Sequence, residues 1–571
     1  MIGQLRERIR ETLKSRGIQN CDVRVARDCR NADFVALCRE SATRSCIVVV
    51  LNGDKEKDVC CIQHCFLDEK DRVIIILNRS HIFRQVLLDL PAGLRCTATT
   101  GQSTPESHVC IVAWFYCCNP TDAAVTAIAM RTALTAHHAA KLVEITGCKC
   151  SLVYAGNCEE QFWINLKEWV DKFGCHPDKW VAINDVDVQT KAKKLLNYGI
   201  SKLQSATKNE ESKLIDVVKG DQLCASEVIL NLRQYMLQND LPIGKIGYDK
   251  GMGNAVLLAD GIMDSLLLEA AVLQDLSETF CCGSFLHVDI HSRAFHRQKL
   301  SLAWRMLCDN PSSKEQKLLL HFGVADVMEG KPLVMEDYYR VRMQQLYDVD
   351  SFKMRSTQSE FCVILKCVLA HLEKLHCKIS EEEATGKKLQ LLTVAAIKFE
   401  LLSVNLKNKV KVKLSSGKDV GGVQDNNSGT FVMYNCARMT AIMNKYKDGV
   451  KRGYYPCLPD AKNVDYSTLT GQSEWVLVWK FLTQDMLSFQ EAGNISTRTA
   501  LWADVQSNKV CDIMTRLAKE VSSYYSHVQI LQEPKAHMLS CMFARLHLIL
   551  GIKQMFEYGL GLLSLTPLEV M

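Results

Sequence analysis

The densest group of side chains that could do chemistry lies in the decapeptide HVDIHSRAFH. His287, Asp289 and His291 occupy alternate positions, so in a strand their side chains would share one face. Two imidazoles and a carboxylate are ligands that zinc accepts, but a structural zinc site takes four. No fourth ligand follows at a recognisable spacing, and we interpret the three residues as a polar strand end. The sequence therefore predicts no metal site and no cofactor.

A second group consists of lysines that occupy every other position of the segment NLKNKVKVKL. They are Lys407, Lys409, Lys411 and Lys413. In an extended segment the lysines would lie on one side and the intervening valines on the other. The lysines could protect a solvated edge strand from pairing with another chain, or they could contact phosphate groups. Spacing alone favours neither interpretation.

Length and charge limit the class of protein. The chain has 571 residues, too many for one compact core, and we expect about two to four domains. Lysine and arginine total 69 against 64 acidic residues, a net charge of +5. That excess permits an anionic partner without requiring one.

Cysteine usage and the N-terminal segment indicate a reducing compartment. The segment MIGQLRERIRETLKSRG is a charged amphipathic helix without the apolar region of a signal peptide. The 26 cysteines include no CxxC pair, so we expect small buried side chains rather than disulfides or zinc ligands. The longest apolar run, VCIVAWFYCC, is about half as long as a membrane span. We predict a cytoplasmic protein without a transmembrane helix.

The pattern of elements divides the chain into residues 1–105, 106–356 and 357–571. The first region mixes short helices with strand-like runs such as SCIVVVLNG and DRVIIILNRS. In the second, the strand-like runs VCIVAWFYC, CSLVYAG, AVLLADG and FLHVDI alternate with helices, which argues for a parallel sheet with crossover helices. The third is almost wholly helical, and three amphipathic segments beginning near Ser473, Val510 and Pro534 predict a bundle. The predicted fold class is therefore α/β plus all-α, with a small N-terminal α+β domain.

The third region resembles the DALR anticodon-binding domain of arginyl-tRNA synthetases. The segments AAIKFELLSVNLKNKVKVKL, NSGTFVMYNCARMTAIMNKY and ARLHLILGIKQMFEYGLGLLSLTPLEVM are similar to synthetase segments that occur in the same order. The resemblance places five residues near an anticodon loop: Tyr434, Arg438, Tyr525, Gln554 and Met571. Tyrosine and methionine can stack on splayed bases, and arginine can hold phosphate or base edges. The alternative is that Tyr525 and Met571 pack in the core. The lysines from Lys407 lie in this domain, which favours RNA phosphate as their ligand without deciding the matter.

The second region resembles, more distantly, the class I synthetase block that carries the HIGH signature. In VCIVAWFYCCNPTDAAVTAIAMRTALTAHHAAKLVEITGCK, Thr126 and Ala129 stand where the family has its two histidines, while Arg131 keeps its place. The lysine loop near Lys331 is likewise mostly replaced. Adenylate formation needs donors that stabilise charge moving to pyrophosphate, and loss of one such donor costs roughly a hundredfold to a thousandfold in rate. The resemblance therefore implies a degenerate Rossmann domain without catalytic residues.

The chain is identified as a member of the DALR anticodon-binding domain-containing proteins of animals. The resemblance implies that it binds arginine tRNAs and assists a tRNA 3-methylcytidine methyltransferase, with no membrane as partner. Residues 1–105 faintly resemble the synthetase domain that touches the tRNA elbow, through VIIILNRSHIFRQVL. The alternatives are an active arginyl-tRNA synthetase with an unusual site, and a protein scaffold that no longer binds RNA.

Overall fold

A computed structural model describes most of the chain. The described residues are 2–19, 21–26, 29, 31–38, 40–53, 60–93, 108–116, 123–206, 213–219, 225–245, 247–282, 284–308, 315–322, 324–325, 332–347, 380–412, 428–486, 488–489, 496–497 and 501–568.

Helices and strands alternate through the first two thirds of these residues, and helices dominate the rest. The helices are α1 (Ile2–Ser15), α2 (Ser41–Asn52), α3 (Arg79–Gly93), α4 (Ala127–Ile145), α5 (Glu160–Phe173), α6 (Val186–Ala206), α7 (Leu232–Gln238), α8 (Ser265–Thr279), α9 (Ala294–Leu307), α10 (Met335–Tyr347), α11 (Ser380–Leu402), α12 (Ser428–Lys451), α13 (Gln472–Val476), α14 (Ser507–His527) and α15 (Ala536–Leu562). The strands are β1 (Asp22–Val25), β2 (Phe34–Leu37), β3 (Ile62–Leu67), β4 (Val73–Leu77), β5 (His108–Tyr116), β6 (Lys149–Asn157), β7 (Lys179–Ala182), β8 (Ile215–Lys219), β9 (Ala225–Asn231), β10 (Asn254–Ala259), β11 (Ile262–Met263), β12 (Ser284–Ile290), β13 (Glu315–His321), β14 (Val324–Ala325), β15 (Val410–Lys411), β16 (Ser496–Thr497) and β17 (Ala503–Asp504).

The centre of the molecule is a five-stranded sheet in the order β13-β12-β5-β6-β7. All four neighbouring pairs are parallel, which confirms the prediction of a parallel sheet with crossover helices. The apolar run of β5 is almost continuous because Ile111 packs on one face and Val112 on the other. The chain leaves β5 toward β6 and reaches β12 on the opposite side, so the carboxyl ends of β5 and β12 border the crevice where such sheets bind ligands.

The N-terminal region is an antiparallel sheet in the order β1-β2-β4-β3, with helices packed against it. The run DRVIIILNRS contains strand β4, as predicted. The run SCIVVVLNG was predicted as strand-like, and this prediction was wrong because it forms most of helix α2. Ile47 and Leu51 are buried there at a spacing of four residues, which is one face of a helix. Packing of this face overrode the preference of the valines for strands.

A second antiparallel sheet, in the order β11-β10-β9-β8, is inserted between α6 and α8. It contains the run AVLLADG, which the sequence assigned to the parallel alternation, so this part of the prediction was wrong. Ala259 and Ile262 face each other across a tight reversal in which Asp260 and Gly261 both have positive φ. The reversal pairs β10 with β11 directly, without the crossover helix that parallel strands require.

The C-terminal helices α11, α12, α14 and α15 pack on one another as the predicted bundle. Helix α13 continues as a π-helix over Leu477–Asp485, where the sequence predicted an α-helix from Ser473. By length and composition α15 is apolar enough to cross a membrane. The core helix of a globular domain passes the same test, and Met542 and Phe556 of α15 are fully buried in the bundle.

The N-terminal sheet is joined to this bundle through a buried carboxylate. Asp33 accepts hydrogen bonds from the indole Nε1 of Trp475 at 2.9 Å and from the backbone N–H of Leu77 at 2.8 Å. The Arg79 guanidinium lies 5.0 Å from the centre of the Trp475 ring. Burial raises the pKa of Asp33 to about 6, and its hydrogen bonds act against this shift. The first and last regions of the chain therefore form one packed unit.

The carboxyl end of α15 is held by residues of two other elements. The ammonium of Lys398 on α11 donates to the carbonyl oxygens of Leu563 and Ser564, at 3.0 and 2.7 Å. On α4, Nδ1 of His138 lies 2.7 Å from the carbonyl oxygen of Leu562. Cationic and donor groups at a helix carboxyl terminus satisfy its free carbonyl groups. The central sheet and the bundle therefore meet at this point.

Buried histidines predict a loss of stability in mild acid. Burial lowers the pKa of His138 and His287 to about 4, and that of His321 to about 3. Below about pH 6.5 these histidines take up protons in the unfolded chain but not in the folded chain. Above that pH neither state is protonated, so the free energy of unfolding is not reduced by them. As pH falls from about 6.5 toward 4, the free energy of unfolding decreases by about 1.4 kcal/mol per pH unit for each histidine. Urea unfolding between pH 7.5 and 5 measures the total slope, to which Asp33 contributes with the opposite sign because its pKa is raised to about 6.

Replacing His138 by Asn should reduce the slope by the share of one histidine. The exposed His537, changed in the same way, provides the control for the substitution. Equal slopes for the parent and for His138→Asn would contradict the assignment.

Candidate nucleic-acid interface

Three of the five residues predicted near an anticodon loop lie together on the surface of the bundle. Tyr434 and Arg438 are one turn apart on α12, and Arg438 donates a hydrogen bond to the Tyr434 hydroxyl. The centre of the Arg438 guanidinium lies 4.5 Å from the ring centre of Tyr434 and 4.7 Å from that of Tyr525, which comes from α14. We call these three residues the Tyr–Arg–Tyr cluster.

The exposure of Tyr525 decides one alternative that the sequence left open. Tyr525 is 41% exposed, whereas the preceding Tyr524 is 2% exposed. The hydroxyl of Tyr524 donates a hydrogen bond to the carboxylate of Glu474. Tyr525 is therefore a surface residue, and Tyr524 is the core residue of the pair. An exposed ring beside a guanidinium offers a stacking face and a cation to a base and its phosphate.

The other two predicted residues are Gln554 and Met571. Gln554 is half-buried on α15, and within the described residues no hydrogen bond links it to the Tyr–Arg–Tyr cluster. Met571 lies outside the described residues, so its predicted role remains a prediction.

The sequence analysis missed a basic stripe that continues along α12. Lys445 on α12 and Arg452, the residue directly after its end, follow Arg438 at intervals of seven residues, and both are exposed. The N–H of Arg452 still donates to the carbonyl of Asp448, four residues earlier, so the three basic residues lie close to one line. Just beyond the helix Tyr454 is 54% exposed, with its ring centre 4.8 Å from that of Tyr455. The segment KYKDGVKRGYY, which combines lysine and arginine with three tyrosines, was the available signal.

Three of the four predicted lysines form an exposed basic ridge. Lys407, Lys409 and Lys411 are exposed, and Val410 and Val412 are buried, as the alternation predicted. The segment is less extended than expected because the N–H of Asn408 closes a turn on the carbonyl of Asn405, at 2.9 Å. Among the residues of this segment that the structure describes, Val410–Lys411 alone forms a strand, parallel to β14.

The described contacts of the ridge lysines are compatible with both interpretations, a protected edge and a phosphate contact. The Lys407 ammonium lies 3.6 Å from Asp504, and Lys413 lies outside the described residues. The ridge could therefore be a solvated edge or a phosphate contact.

A buried guanidinium supports the ridge from below. Arg131, at the position that the resemblance keeps from the synthetases, is fully buried on α4. It donates to five backbone carbonyl oxygens, those of Leu401, Val404, Asn405, Asn408 and Phe322. Burial lowers the pKa of Arg131 to about 10, so it stays charged at neutral pH. Arg131 therefore fixes the turn that presents Lys407.

The backbone donors at the start of α4 are already used within the chain. Thr126 stands where the resemblance places the first histidine of the family. Its side chain caps α4 by accepting a hydrogen bond from the N–H of Ala129 at 3.2 Å. The N–H of Ala127 donates to the carbonyl of Leu333 at 2.8 Å, and the N–H of Met335 to the carbonyl of Val125 at 2.8 Å. The segment before α10 thus pairs with the helix start. A helix amino terminus binds anions through free N–H groups, and two of these donors are occupied here.

The polar strand end predicted around His287 is held by other protein side chains. The Trp114 indole donates to Nδ1 of His287 at 3.1 Å, and Nε2 of His287 lies 3.1 Å from Gln316. Asp289 pairs with Arg297 at 2.8 Å. The ring of His291 stacks on Phe322, with centres 4.2 Å apart. The structure gives these residues three separate environments.

The part of the chain that carries the Tyr–Arg–Tyr cluster is similar to a known domain. Residues 432–571 match the family described as DALR anticodon binding domain. A mouse protein named DALR anticodon-binding domain-containing protein 3 is 30% identical over 284 residues, 50% of this chain and 48% of its own length. Its zebrafish namesake is 25% identical over 448 residues, 77% of this chain and 72% of its own length. The chain thus spans about half of the mouse relative in that match.

Two solved structures show the same overall fold. Arginyl-tRNA synthetase from Thermus thermophilus aligns over 100% of this chain and 99% of its own, with a TM-score of 0.58 and 12% identity. The Plasmodium falciparum enzyme aligns over 100% of this chain and 99% of its own, with a TM-score of 0.59 and 10% identity. The predicted fold class is confirmed. Residues 432–571 belong to the DALR anticodon binding domain family, on a chain with the fold of arginyl-tRNA synthetases.

Proposed function

We propose that this chain is a non-catalytic protein that recognises arginine tRNAs and presents them to a methyltransferase that forms 3-methylcytidine in the anticodon loop. The observation that carries the proposal is the Tyr–Arg–Tyr cluster on an anticodon-binding domain, in which Tyr525 is exposed and Tyr434 and Arg438 are half-buried. Bases splayed from an RNA loop offer both faces and edges for recognition. Two tyrosine rings around a guanidinium suit such a base together with its phosphate.

Two surfaces would extend this contact along the RNA backbone. Helix α12 rises about 1.5 Å per residue, so Arg452, directly after its last residue, lies about 20 Å along the helix axis from Arg438. The basic ridge at Lys407 adds further cations. Because the whole chain carries a net charge of only +5, binding to a polyanion would depend on such local concentrations of charge.

The start of α4 supports the non-catalytic part of the proposal. Thr126 and Ala129 supply no imidazole, and the Leu333 carbonyl occupies the Ala127 donor. A triphosphate placed there would have to displace the segment before α10. Residues 106–356 would then serve as a scaffold, while residues 1–105 contact the tRNA elbow and residues 357–571 the anticodon loop. The methyltransferase and the cytoplasmic location rest on the family resemblance alone.

Tyr525→Ala should weaken binding of arginine tRNA about tenfold or more, since stacking of one base contributes on the order of 1–3 kcal/mol. Stability should change by less than about 0.5 kcal/mol because the ring is exposed. Tyr524→Ala provides the matched contrast and should lose about 3 kcal/mol or more of stability, because its ring is buried. Filter binding and urea unfolding of both variants measure these effects. In cells, Tyr525→Ala should lower 3-methylcytidine in arginine tRNAs and spare other tRNAs.

Unchanged selection of arginine tRNAs by folded Tyr525→Ala would exclude the Tyr–Arg–Tyr cluster as the recognition element. Normal 3-methylcytidine despite weakened binding would argue against the methyltransferase role.

Neutralising the ridge tests its two interpretations. If the lysines contact phosphate, replacing Lys407, Lys409 and Lys411 by Gln should reduce the slope of log K against log salt by roughly one unit or less per contact. Lys193 and Lys194 are exposed on α6, and their replacement by Gln controls for net charge. A slope equal to that of the parent would identify the ridge as a protected edge.

The chain should form no aminoacyl-adenylate. Arginine-dependent exchange of pyrophosphate into ATP, measured with and without arginine tRNA, should remain at background because the stabilising donors are replaced. Exchange clearly above background that depends on the residues of the crevice would support an active synthetase instead.

A further inference from the structure

Two cysteines face each other at the open end of the hairpin formed by β1 and β2. The strands are antiparallel and Asp22 pairs with Leu37, so the same register places Cys21 opposite Cys38. A hydrogen bond joins the two thiol groups, and both residues are half-buried. Folding of the N-terminal sheet thus brings two thiol groups into contact.

The type of pairing at this position allows a disulfide. The N–H of Ala26 donates to the carbonyl of Asp33, and hydrogen-bonded pairs alternate with non-hydrogen-bonded pairs along an antiparallel ladder. This alternation makes Cys21 and Cys38 a non-hydrogen-bonded pair, in which Cα atoms are about 4.5 Å apart. Disulfides span Cα separations of roughly 4.4–6.8 Å. The pair therefore lies within bridging distance, near the short limit at which disulfides are more readily reduced.

A groove of about 1880 Å³ gives solvent access to this pair. Helices α1 and α2 form its walls together with the ends of β1 and β2, and both cysteines line it, as does the exposed Cys46. Sites that enclose drug-sized ligands measure about 300–1,000 Å³, so a small peptide disulfide fits. The Nε of Arg44 on α2 donates to the carbonyl of Cys38 at 3.0 Å, which holds the end of β2 beside the groove.

A second pair of cysteines is buried and provides a comparison. The thiol groups of Cys110 and Cys282 also share a hydrogen bond, near the amino ends of β5 and β12. Cys110 is 0% exposed and Cys282 is 2% exposed. Because oxidation of a thiol requires access for the oxidant, contact between thiols without exposure should leave this pair reduced.

The position of the protons distinguishes the two thiols of the exposed pair. Burial and the neighbouring Cys38 raise the pKa of Cys21 to about 12; Asp22 adds to this shift and Arg10 opposes it. Cys21 therefore keeps its proton and donates toward Cys38, so the first thiolate of the pair forms at Cys38. The thiolate is the attacking form in thiol–disulfide exchange.

We propose that Cys21 and Cys38 are a site of reversible oxidation by a low-molecular-weight disulfide, independently of the proposed function. The Cys38 thiolate attacks one sulfur of that disulfide, displaces the other as a thiolate and becomes a mixed disulfide. The Cys21 thiol then attacks the Cys38 sulfur, and its proton passes to the second small thiolate as that group leaves. The proton that Cys38 released neutralises the first. One small disulfide and two protein thiols thus give one protein disulfide and two small thiols.

The bridge would close a loop that carries the contact between the N-terminal sheet and the bundle. Residues 21–38 include Asp33, which accepts from Trp475, and Phe34, whose ring centre lies 5.6 Å from that of Trp479. Closing a loop removes conformations from the unfolded chain. Oxidation should therefore make this contact harder to open.

Oxidised glutathione is the probe for this site. The reduced full-length chain, treated with it and then alkylated, should give peptides joined through Cys21 and Cys38 in mass spectrometry. Dithiothreitol should remove the bridge, and Cys110 and Cys282 should be recovered as alkylated thiols. The amide hydrogens of β1 and β2 should exchange more slowly in the oxidised chain than in the reduced chain.

Single variants separate the roles of the two thiols. Cys21→Ser should retain glutathione on Cys38 because the second thiol is missing, and Cys38→Ser should leave Cys21 free. Cys46→Ser keeps both thiols and should form the bridge as the parent does. The proposal is overturned by a bridge to Cys46, by equal retention of glutathione on the Cys21 and Cys38 variants, or by a parent chain that forms no bridge. Oxidation of the buried pair at the same rate would also overturn it.

Discussion

Arg131 is a cation that, among the described residues, is held only by backbone carbonyl groups, and the geometry of the basic ridge depends on it. Its guanidinium joins α4, beside the central sheet, to the end of α11 and to the turn that carries Lys407. Five carbonyl oxygens offer no full negative charge, so the interaction depends on geometry more than on attraction between ions. A lysine could not reach so many acceptors, because its three donors radiate from a single atom.

Near this contact, polar residues at the helix start and in the crevice make structural contacts within the protein. Thr126 caps a helix, the Leu333 carbonyl occupies the donor next to it, and Arg297 fills the crevice between β5 and β12. Each group forms a hydrogen bond or an ion pair inside the protein, whereas Tyr525, Arg438 and the basic residues of α12 lie at the surface. Under the proposed function, a fold shared with arginyl-tRNA synthetases would serve as a rigid support for one binding face.

The sequence predicted the elements with strong periodicity and missed those set by tertiary packing. The parallel sheet and the bundle followed from apolar runs and helical spacing, because burial on two faces or on one stripe shows directly in the sequence. Helix α2 was mistaken for a strand because its valines favour strands, while burial of Ile47 and Leu51 decided the outcome. The π-helix at Leu477–Asp485 has no signal that we can identify. The Tyr–Arg–Tyr cluster came from family resemblance, and the contact of Arg297 with Glu269 from neither source, since these residues are far apart in the chain.

The shared anchoring of α15 and the turn at Lys407 determines how the protein can be divided into fragments. A fragment beginning at α11 would contain the family-defined domain, but it would lack Arg131 and His138. The carbonyl groups of Leu401, Val404 and Leu562 would lose donors that they have in the whole chain and would face water instead, so the turn at Lys407 and the end of α15 would lose the contacts that fix them. The unit that holds the basic ridge in place is therefore larger than the unit that sequence families recognise, and studies of the isolated anticodon-binding domain would examine a bundle whose basic ridge has lost its support.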